Sequence, residues 1–408
     1  MKNRKYIFII LTCIMTFLLA LTTIVGYGNI YLIFLINVAM FIYLFKMQYN
    51  WKLILIIFLQ WLIYLIFLII HVYFIKLPGS GSDDLRFEQL GLNYYYHMAF
   101  GTSVNLFQDS TTYPKIIGLF YLLGIPNKII PGLINITVHT VTTILLYKIN
   151  LYLFKNEKIA LISSFLYTIY PLTMLSTVIT LREVFIILFI LLFTLNLLKY
   201  HETKNIINIF FAIISILLGS LFHIGVIGLV LCLIGYYLIY TQSPLLLKVI
   251  LTLLMIVGFI SFILNSNNSK IESKIDKNEQ VQQLDDTTSR ADYISKNQSN
   301  SILVNLEQEI YFIIKPLPWE IRTGSDIVGF GNIVFIIFSI YCAIKIYNNS
   351  YNEKIIILML TVLSLYLTFA LGTYNYGTAL RHRDKSSMLL IIFIVYYFSI
   401  YKKEIHKI

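Results

Sequence analysis

Apolar stretches of about 20 residues alternate along the chain with short polar breaks, and that is the length at which a helix crosses a hydrocarbon core. The pattern predicts twelve spans, near 1–25, 30–46, 53–75, 128–154, 158–179, 183–199, 206–222, 223–240, 246–264, 328–347, 354–371 and 387–401. The first opens with Lys2, Arg4 and Lys5 and looks like a signal peptide, but no small-x-small cleavage site follows, so it reads as a retained helix. The expected fold is an all-α polytopic membrane protein, one integral-membrane domain over 1–408 with about 12 transmembrane helices and two long outer loops.

Composition supports the bilayer. Of 408 residues 58% are hydrophobic and 12% charged, against about a quarter charged in a soluble domain, so a water-soluble globule could not hide the apolar surface. A net charge of +11 would suggest nucleic acid in a soluble chain, but here orientation in a membrane explains it and no nucleic-acid partner is expected. Cys13, Cys232 and Cys342 lie far apart inside apolar runs and support neither a disulfide framework nor a zinc site.

Charge also orients the chain. With both termini in the cytoplasm, the inner segments hold 16 Lys and Arg against 4 acids, and the outer ones 15 against 16. Basic short inner loops are what the positive-inside rule requires. Two long polar segments then face outward, 76–114 and 265–326, and 265–301 has the Asn-, Ser-, Gln- and Asp-rich composition of a mobile, solvated loop.

Six of the seven arginines (Arg86, Arg182, Arg290, Arg322, Arg381 and Arg383) fall on the outer side. Guanidinium groups hold phosphate oxygens bidentately, so an exterior phosphate site is the first hypothesis; the plainer reading is loop charges and headgroup anchors. In the first outer loop, Pro78-Gly79-Ser80-Gly81-Ser82 leads to Asp83, Asp84 and Arg86. Either aspartate suits a general base or a metal ligand, and either suits an N-cap for the amphipathic stretch Leu85–Phe107; a cap needs only one. Between Tyr113-Pro114 and Ile125-Pro126 lies an apolar segment too short to span, a candidate half-helix lining a cavity.

Leu181-Arg182-Glu183 places an acid–base pair at the mouth of the sixth span, for which mutual pairing and substrate binding weigh equally. His223 sits alone at another outer boundary and reads first as a satisfied helix-end histidine. Toward the C-terminus come Trp319-Glu320-Ile321-Arg322 and then Arg381-His382-Arg383-Asp384-Lys385. The latter is expected at the N-terminus of the last span, where free N–H groups and the helix dipole reinforce an anion site.

The acidic first outer loop, the Tyr-Pro half-helix with Gly118 and Gly124, the Tyr-Pro…Leu-Arg-Glu segment and the terminal Arg-x-Arg together resemble the C-type membrane glycosyltransferases and the polymerases of capsule and O-antigen synthesis. That resemblance covers the chain from about Asp83 onward, on short motifs. It implies transfer or polymerisation of sugars from a polyprenyl-phosphate or polyprenyl-diphosphate donor to a growing glycan acceptor, at the outer face of a bacterial cytoplasmic membrane and beside other polysaccharide-assembly proteins. By the same resemblance Asp83 or Asp84 would activate the acceptor hydroxyl, and Arg381 and Arg383 would hold the lipid phosphate, helped by His382, Arg182 and Arg322. Arg86, Glu183, Glu320 and His223 are further substrate-binding candidates. No organic cofactor is expected, and a divalent metal is left open. Two extra spans before the acidic loop and the lack of a large soluble C-terminal domain depart from the protein-mannosylating members of the family.

From another class, a flippase or transporter of lipid-linked oligosaccharide would carry charges midway along its spans, whereas here they cluster at outer ends and loops. An acyltransferase would want a histidine or Ser/His pair deep in a cavity; His71 and His139 stand alone in sequence.

Overall fold

A computed structural model describes residues 25–81, 83–104, 111–242, 244, 248–249, 302–322, 324–349, 352–370, 373 and 376–405. The expected spans near 1–25 and 246–264, and the polar stretch 265–301, lie outside the described residues. Everything described is helix or connecting segment, with no strand among the described residues. Among the described residues six helices are long and apolar enough to cross a membrane, or seven if a bent pair counts as one, where ten of the twelve expected spans fall. Three further apolar helices, Ile206–Ser220, Ile224–Tyr240 and Ser387–Ile400, are shorter, because polar breaks cut their runs below a membrane's thickness.

Two compact units divide the chain: Met1–Asn196 with Leu221–His223 and Lys402–Ile408, and Leu197–Ser220 with Ile224–Tyr401. The first contains α1 (Gly28–Lys46), α2 (Trp51–Tyr73), α3 (Asp83–Phe100), α4 (Thr112–Tyr121), α5 (Ile129–Phe154), α6 (Glu157–Ile169), α7 (Pro171–Val178) and most of α8 (Glu183–Thr203). The second contains the end of α8, α9 (Ile206–Ser220), a 3-10 turn (Ile224–Gly228), α10 (Leu229–Tyr240), α11 (Ile302–Ile314), α12 (Gly324–Asn349), α13 (Glu353–Ala370), α14 (Tyr376–Asp384) and most of α15 (Ser387–Ile405).

In the first unit α5 is the packing centre. Its Gly132 lets Leu68 of α2 seat directly on its backbone, and Ile144 and Tyr147 join Leu44, Leu53, Ile54, Ile57 and Ala160 in one apolar cluster. The opposite face of α2 leaves Leu55, Phe58, Leu62 and Ile66 exposed at helical spacing. An aliphatic stripe of that kind belongs against lipid rather than water. Likewise Phe210, Phe211 and Leu217 on α9 and Ile337, Phe338 and Ile344 on α12 are exposed.

The bend between α6 and α7 follows from Tyr170-Pro171. Proline removes one amide donor and holds Tyr170 extended (φ −69°, ψ 118°), so the two helices meet at 58°. Interrupting a helix strands carbonyl groups that lipid cannot satisfy. Tyr64 of α2 donates its hydroxyl to Thr168 O at 3.0 Å and closes the gap. His139 Nε2 lies 3.3 Å from the same hydroxyl, and its ring stacks on Tyr167 at 4.6 Å. With the Tyr64 proton given to Thr168, the His139 Nε2–H is the donor of that pair.

The two ends of the first unit differ. Around 46–52 and 148–158 are Lys46, Lys52, Lys148, Lys155 and Lys158 with Glu157, held together by Tyr147 donating to Glu157 and by Tyr49 against Tyr147. At the other end 75–83, 122–128 and 179–183 gather, tied to the start of α1 by Ile125 N–H donating to Gly26 O and Asn29 Nδ2 donating to Ile125 O.

Candidate functional site

The chemistry of the first unit collects at this second end. α3 and α4 form a tight hairpin because Gly91 and Gly118 face each other's helix; a Cβ on Gly91 would stand 2.6 Å from Ile117 Cγ2. The pair are 18 and 10 residues long, and α4 cannot span, as expected for a half-helix. On α3 the buried positions Asp84, Phe87, Leu90, Gly91 and Tyr94 mark one face, and Asp84 and Glu88 stand one turn apart.

The carboxylates of α3 have separate tasks. Asp84 is 1% exposed and accepts from Ser80 Oγ and from Gly81 N–H at 2.9 Å, which closes the turn that starts the helix. Its donors precede the helix, so Asp84, inside the first turn, ties down the entering chain and is not the N-cap expected of one aspartate. Asp83 pairs with Arg86 one turn on, Nη2 to Oδ1 at 2.6 Å, and both side chains are partly exposed. Glu88 is half-buried and accepts from Thr180 Oγ1 at 3.1 Å. Burial pushes the Glu88 carboxyl above its ordinary range; the Thr180 hydrogen bond and the charges of Lys76 and Lys128 pull it back, and Asp84 adds to the rise.

The segment 179–182 completes the group. Asn135, buried in α5, donates to Ile179 O at 3.2 Å and Leu181 O at 2.9 Å, and accepts from the buried Tyr113 hydroxyl at 3.2 Å. With those carbonyls pinned, Thr180 reaches Glu88 and the Arg182 guanidinium lies 5.4 Å over the Phe87 ring. Glu183 begins α8, 5% exposed, with no hydrogen bond to its Oε2 among the described residues. Nearby, His71 Nδ1 accepts from Leu77 N–H at 3.1 Å, and the charges of Lys76 and Asp84 act on its ring. Asp83, Asp84, Arg86, Arg182 and Glu183, nominated from sequence, thus share one end of one unit. Glu88, Thr180 and Asn135 were not nominated: a single carboxylate, threonine or asparagine carries no pattern until the fold pairs it.

A second charged group lies in the second unit. Arg381, His382 and Arg383 form the last turn of the short helix α14 and do not start the last span. The chain breaks at Lys385-Ser386, and Leu389 and Leu390 N–H bond to Ser386 O, so serine opens α15. The guanidinium of Arg383, 1% exposed, donates from Nη1 to Lys315 O at 3.0 Å and from Nε to Ala379 O at 3.3 Å, 6.0 Å from the Phe312 ring. Lys385, equally buried, has Nζ 4.6 Å over Phe369, and Ser387 donates to Asp384 at 3.1 Å. Because Thr373 gives its proton to Phe369 O, His382 Nδ1 donates to Thr373 Oγ1 at 3.0 Å.

Glu320 binds Lys315 Nζ at 3.3 Å and Leu317 N–H at 2.8 Å, which folds the 315–320 turn beneath Arg383. The Arg322 side chain is exposed and its backbone N–H donates to Asp326. Arg381 is half-buried, and so is His223, which clusters with the first unit. No group of three His, Cys, Asp or Glu able to hold a metal occurs among the described residues.

A third feature is apolar. Between α1 and α2 runs a groove of about 550 Å3 lined by Phe34, Phe41, Phe45, Trp51, Phe58 and Trp61, of a size and character for a hydrocarbon chain.

These features define an all-helical membrane protein with charged groups at helix ends. Compared with protein-family models, curated proteins and solved structures, the chain matches none.

Proposed function

We propose that the protein performs a membrane step of bacterial cell-surface (capsular or exo-) polysaccharide biosynthesis, transferring or polymerising sugars from a polyprenyl-(di)phosphate-linked donor at the outer face of the cytoplasmic membrane. The observation that carries the reading is the group at the end of the first unit: three carboxylates on the first two turns of α3, with Arg182 and two lysines around them. Glycosyl transfer needs a base for the incoming hydroxyl and positive charge for the departing phosphate. The resemblance implies an acceptor-activating carboxylate in this first outer loop, where Asp83, Asp84 and Glu88 lie. Arg182 supplies positive charge for the phosphate at this end of the first unit. Arg381 and Arg322 are the separate phosphate-binding candidates of the second unit, where the buried Arg383 and His382 are held by Lys315 O, Ala379 O and Thr373.

Sidedness supports the same reading. The end holding Lys46, Lys52, Lys148, Lys155 and Lys158 has one acid among its charges, whereas the carboxylate end is nearly balanced, so the first faces the cytoplasm and the second the exterior. Both chain termini then lie inside, in the twelve-span arrangement read from sequence. The aromatic groove between α1 and α2 offers a path for an isoprenoid tail. A flippase should hold ionisable groups mid-span; in the described spanning helices the lysines and carboxylates lie toward the ends, and His139, midway along α5, packs against Tyr64 and Tyr167.

Deleting the gene is expected to abolish long surface polymer. Asp83→Asn, Arg182→Ala and Arg381→Ala are expected to leave inserted protein without long polymer, while lipid-linked units still reach the outer leaflet. Retention of those units on the inner leaflet would move the assignment to a flippase.

A further inference from the structure

We propose that Glu88 is the proton acceptor of this site, the group that takes the acceptor hydroxyl's proton during glycosyl transfer. The inference rests on the glycosyl-transfer reading and deepens it. Three carboxylates sit on the first two turns of α3, and hydrogen bonding separates them. Asp84 has one oxygen on the Ser80 hydroxyl and the other on Gly81 N–H, and is 1% exposed, so both oxygens are committed to the turn. Asp83 is paired with the Arg86 guanidinium at 2.6 Å. Glu88 spends one oxygen on Thr180 at 3.1 Å, and Oε2 makes no hydrogen bond among the described residues.

A base works best when its pKa approaches the working pH. Glu88 is moved in that direction by burial, against Thr180, Lys76 and Lys128; Asp84 on its own helix reinforces the rise. Tyr113 and Tyr121 of α4 also feel its charge, and both are buried phenols that stay protonated near neutral pH. Asn135 is the positioning residue, because it pins the carbonyls on either side of Thr180 and so aims the threonine at Glu88.

In the step, the acceptor O–H bond breaks and its proton passes to Glu88 Oε2. The hydroxyl oxygen forms the new bond to the donor's anomeric carbon. The bond from that carbon to the phosphate oxygen breaks, and its electron pair leaves with the polyprenyl (di)phosphate, whose negative charge the site's arginines stabilise. Glu88 then returns its proton to water.

The test is made on the full-length chain in cells lacking the chromosomal copy, with polymer measured on gels and protein measured in the membrane. Glu88→Gln is expected to lower polymer by about 100-fold or more at unchanged protein level, while Gln89→Ala, exposed on the next position of α3, leaves it unchanged. In wild type, polymer output should fall as external pH drops through the Glu88 transition. Thr180→Val, which removes the hydrogen bond favouring the anion, should move that fall to higher pH. As a readout free of activity, a hydrophobic carbodiimide should label Glu88 in purified protein in detergent, with labelling increasing as pH is lowered. Full polymer from Glu88→Gln, or an acid fall unmoved by Thr180→Val, overturns the role of Glu88 alone. Polymer that survives deletion of the gene overturns the polysaccharide reading and the role with it.

Discussion

The charged groups of the two units are built in opposite ways. In the first, Asp83, Arg86 and Glu88 lie on the flank of a helix that starts at the surface, and each retains some exposure. In the second, Arg383, Asp384 and Lys385 are each about 1% exposed, and carbonyl oxygens and aromatic faces replace water around the cations. Exposed charges cost little to hold and are free to exchange partners, whereas buried ones must be satisfied by the fold itself. Solvent therefore reaches the first group, whereas the second keeps its positive charge inside a shell of carbonyl oxygens and aromatic faces.

Truncation of a buried cation should break this contrast most strongly. Arg383→Ala removes the donor to Lys315 O and Ala379 O and leaves Asp384 buried near Lys385, so the expected loss is about 3–5 kcal/mol. Arg86→Ala, a partly exposed i,i+3 pair, should cost about 0.5 kcal/mol or less. Thermal unfolding in detergent, compared between the two variants, checks the difference; equal losses would mean that the buried cluster is not satisfied as described.

A smaller effect is expected from Asn135→Leu, which sharpens the comparison within the first unit. It strands the Tyr113 hydroxyl and the carbonyls of Ile179 and Leu181, and one unsatisfied buried group costs about 1–3 kcal/mol. Relaxation of the 179–182 segment toward solvent should hold the total near the lower end. That same relaxation swings Thr180 and Arg182 away from α3, so polymer output should fall further than stability. Asn135→Asp, which still accepts from Tyr113 but no longer donates, should lose output too.

Much of this architecture is legible in the chain. Apolar runs mark every described spanning helix, Tyr170-Pro171 marks the bend, and the Gly-Ser turn before Asp83 marks the start of α3. Run length alone overstated the spans, because Ile206–Ser220 and Ser387–Ile400 carry apolar composition over too few residues. The placement of Arg381–Arg383 was missed although its signal was present: Ser386-Ser387 before an apolar run is a helix start, so the basic residues must end the helix before it. At that C-terminal turn the dipole favours cations, the reverse of the anion-binding N-terminus expected. Asn135 was unreadable for a different reason. Its partners Tyr113, Ile179 and Leu181 are 22 to 46 residues away, and a polar residue inside an apolar run does not announce which backbone it will hold.

The smallest expected effect again sets the two units side by side, through Glu88 and Glu309. Glu309 on α11 is half-buried, and burial pushes its carboxyl up to about 7, with no charge among the described residues offsetting it. A carboxyl raised in the folded state favours folding fully below its unfolded pKa, and that contribution is lost as pH rises through the folded value. Stability of the second unit should therefore decline between about pH 4.5 and 7 and level off above, and Glu309→Gln should flatten that part of the profile. Glu88 differs because Thr180, Lys76 and Lys128 counter its burial, so its anion is tolerated at lower pH. Glu88→Gln should consequently alter the pH dependence of polymer output, and Glu309→Gln only that of unfolding, measured as melting temperature against pH. Were Glu309→Gln to shift the polymer profile instead, the titrating group of the reaction would belong to the second unit.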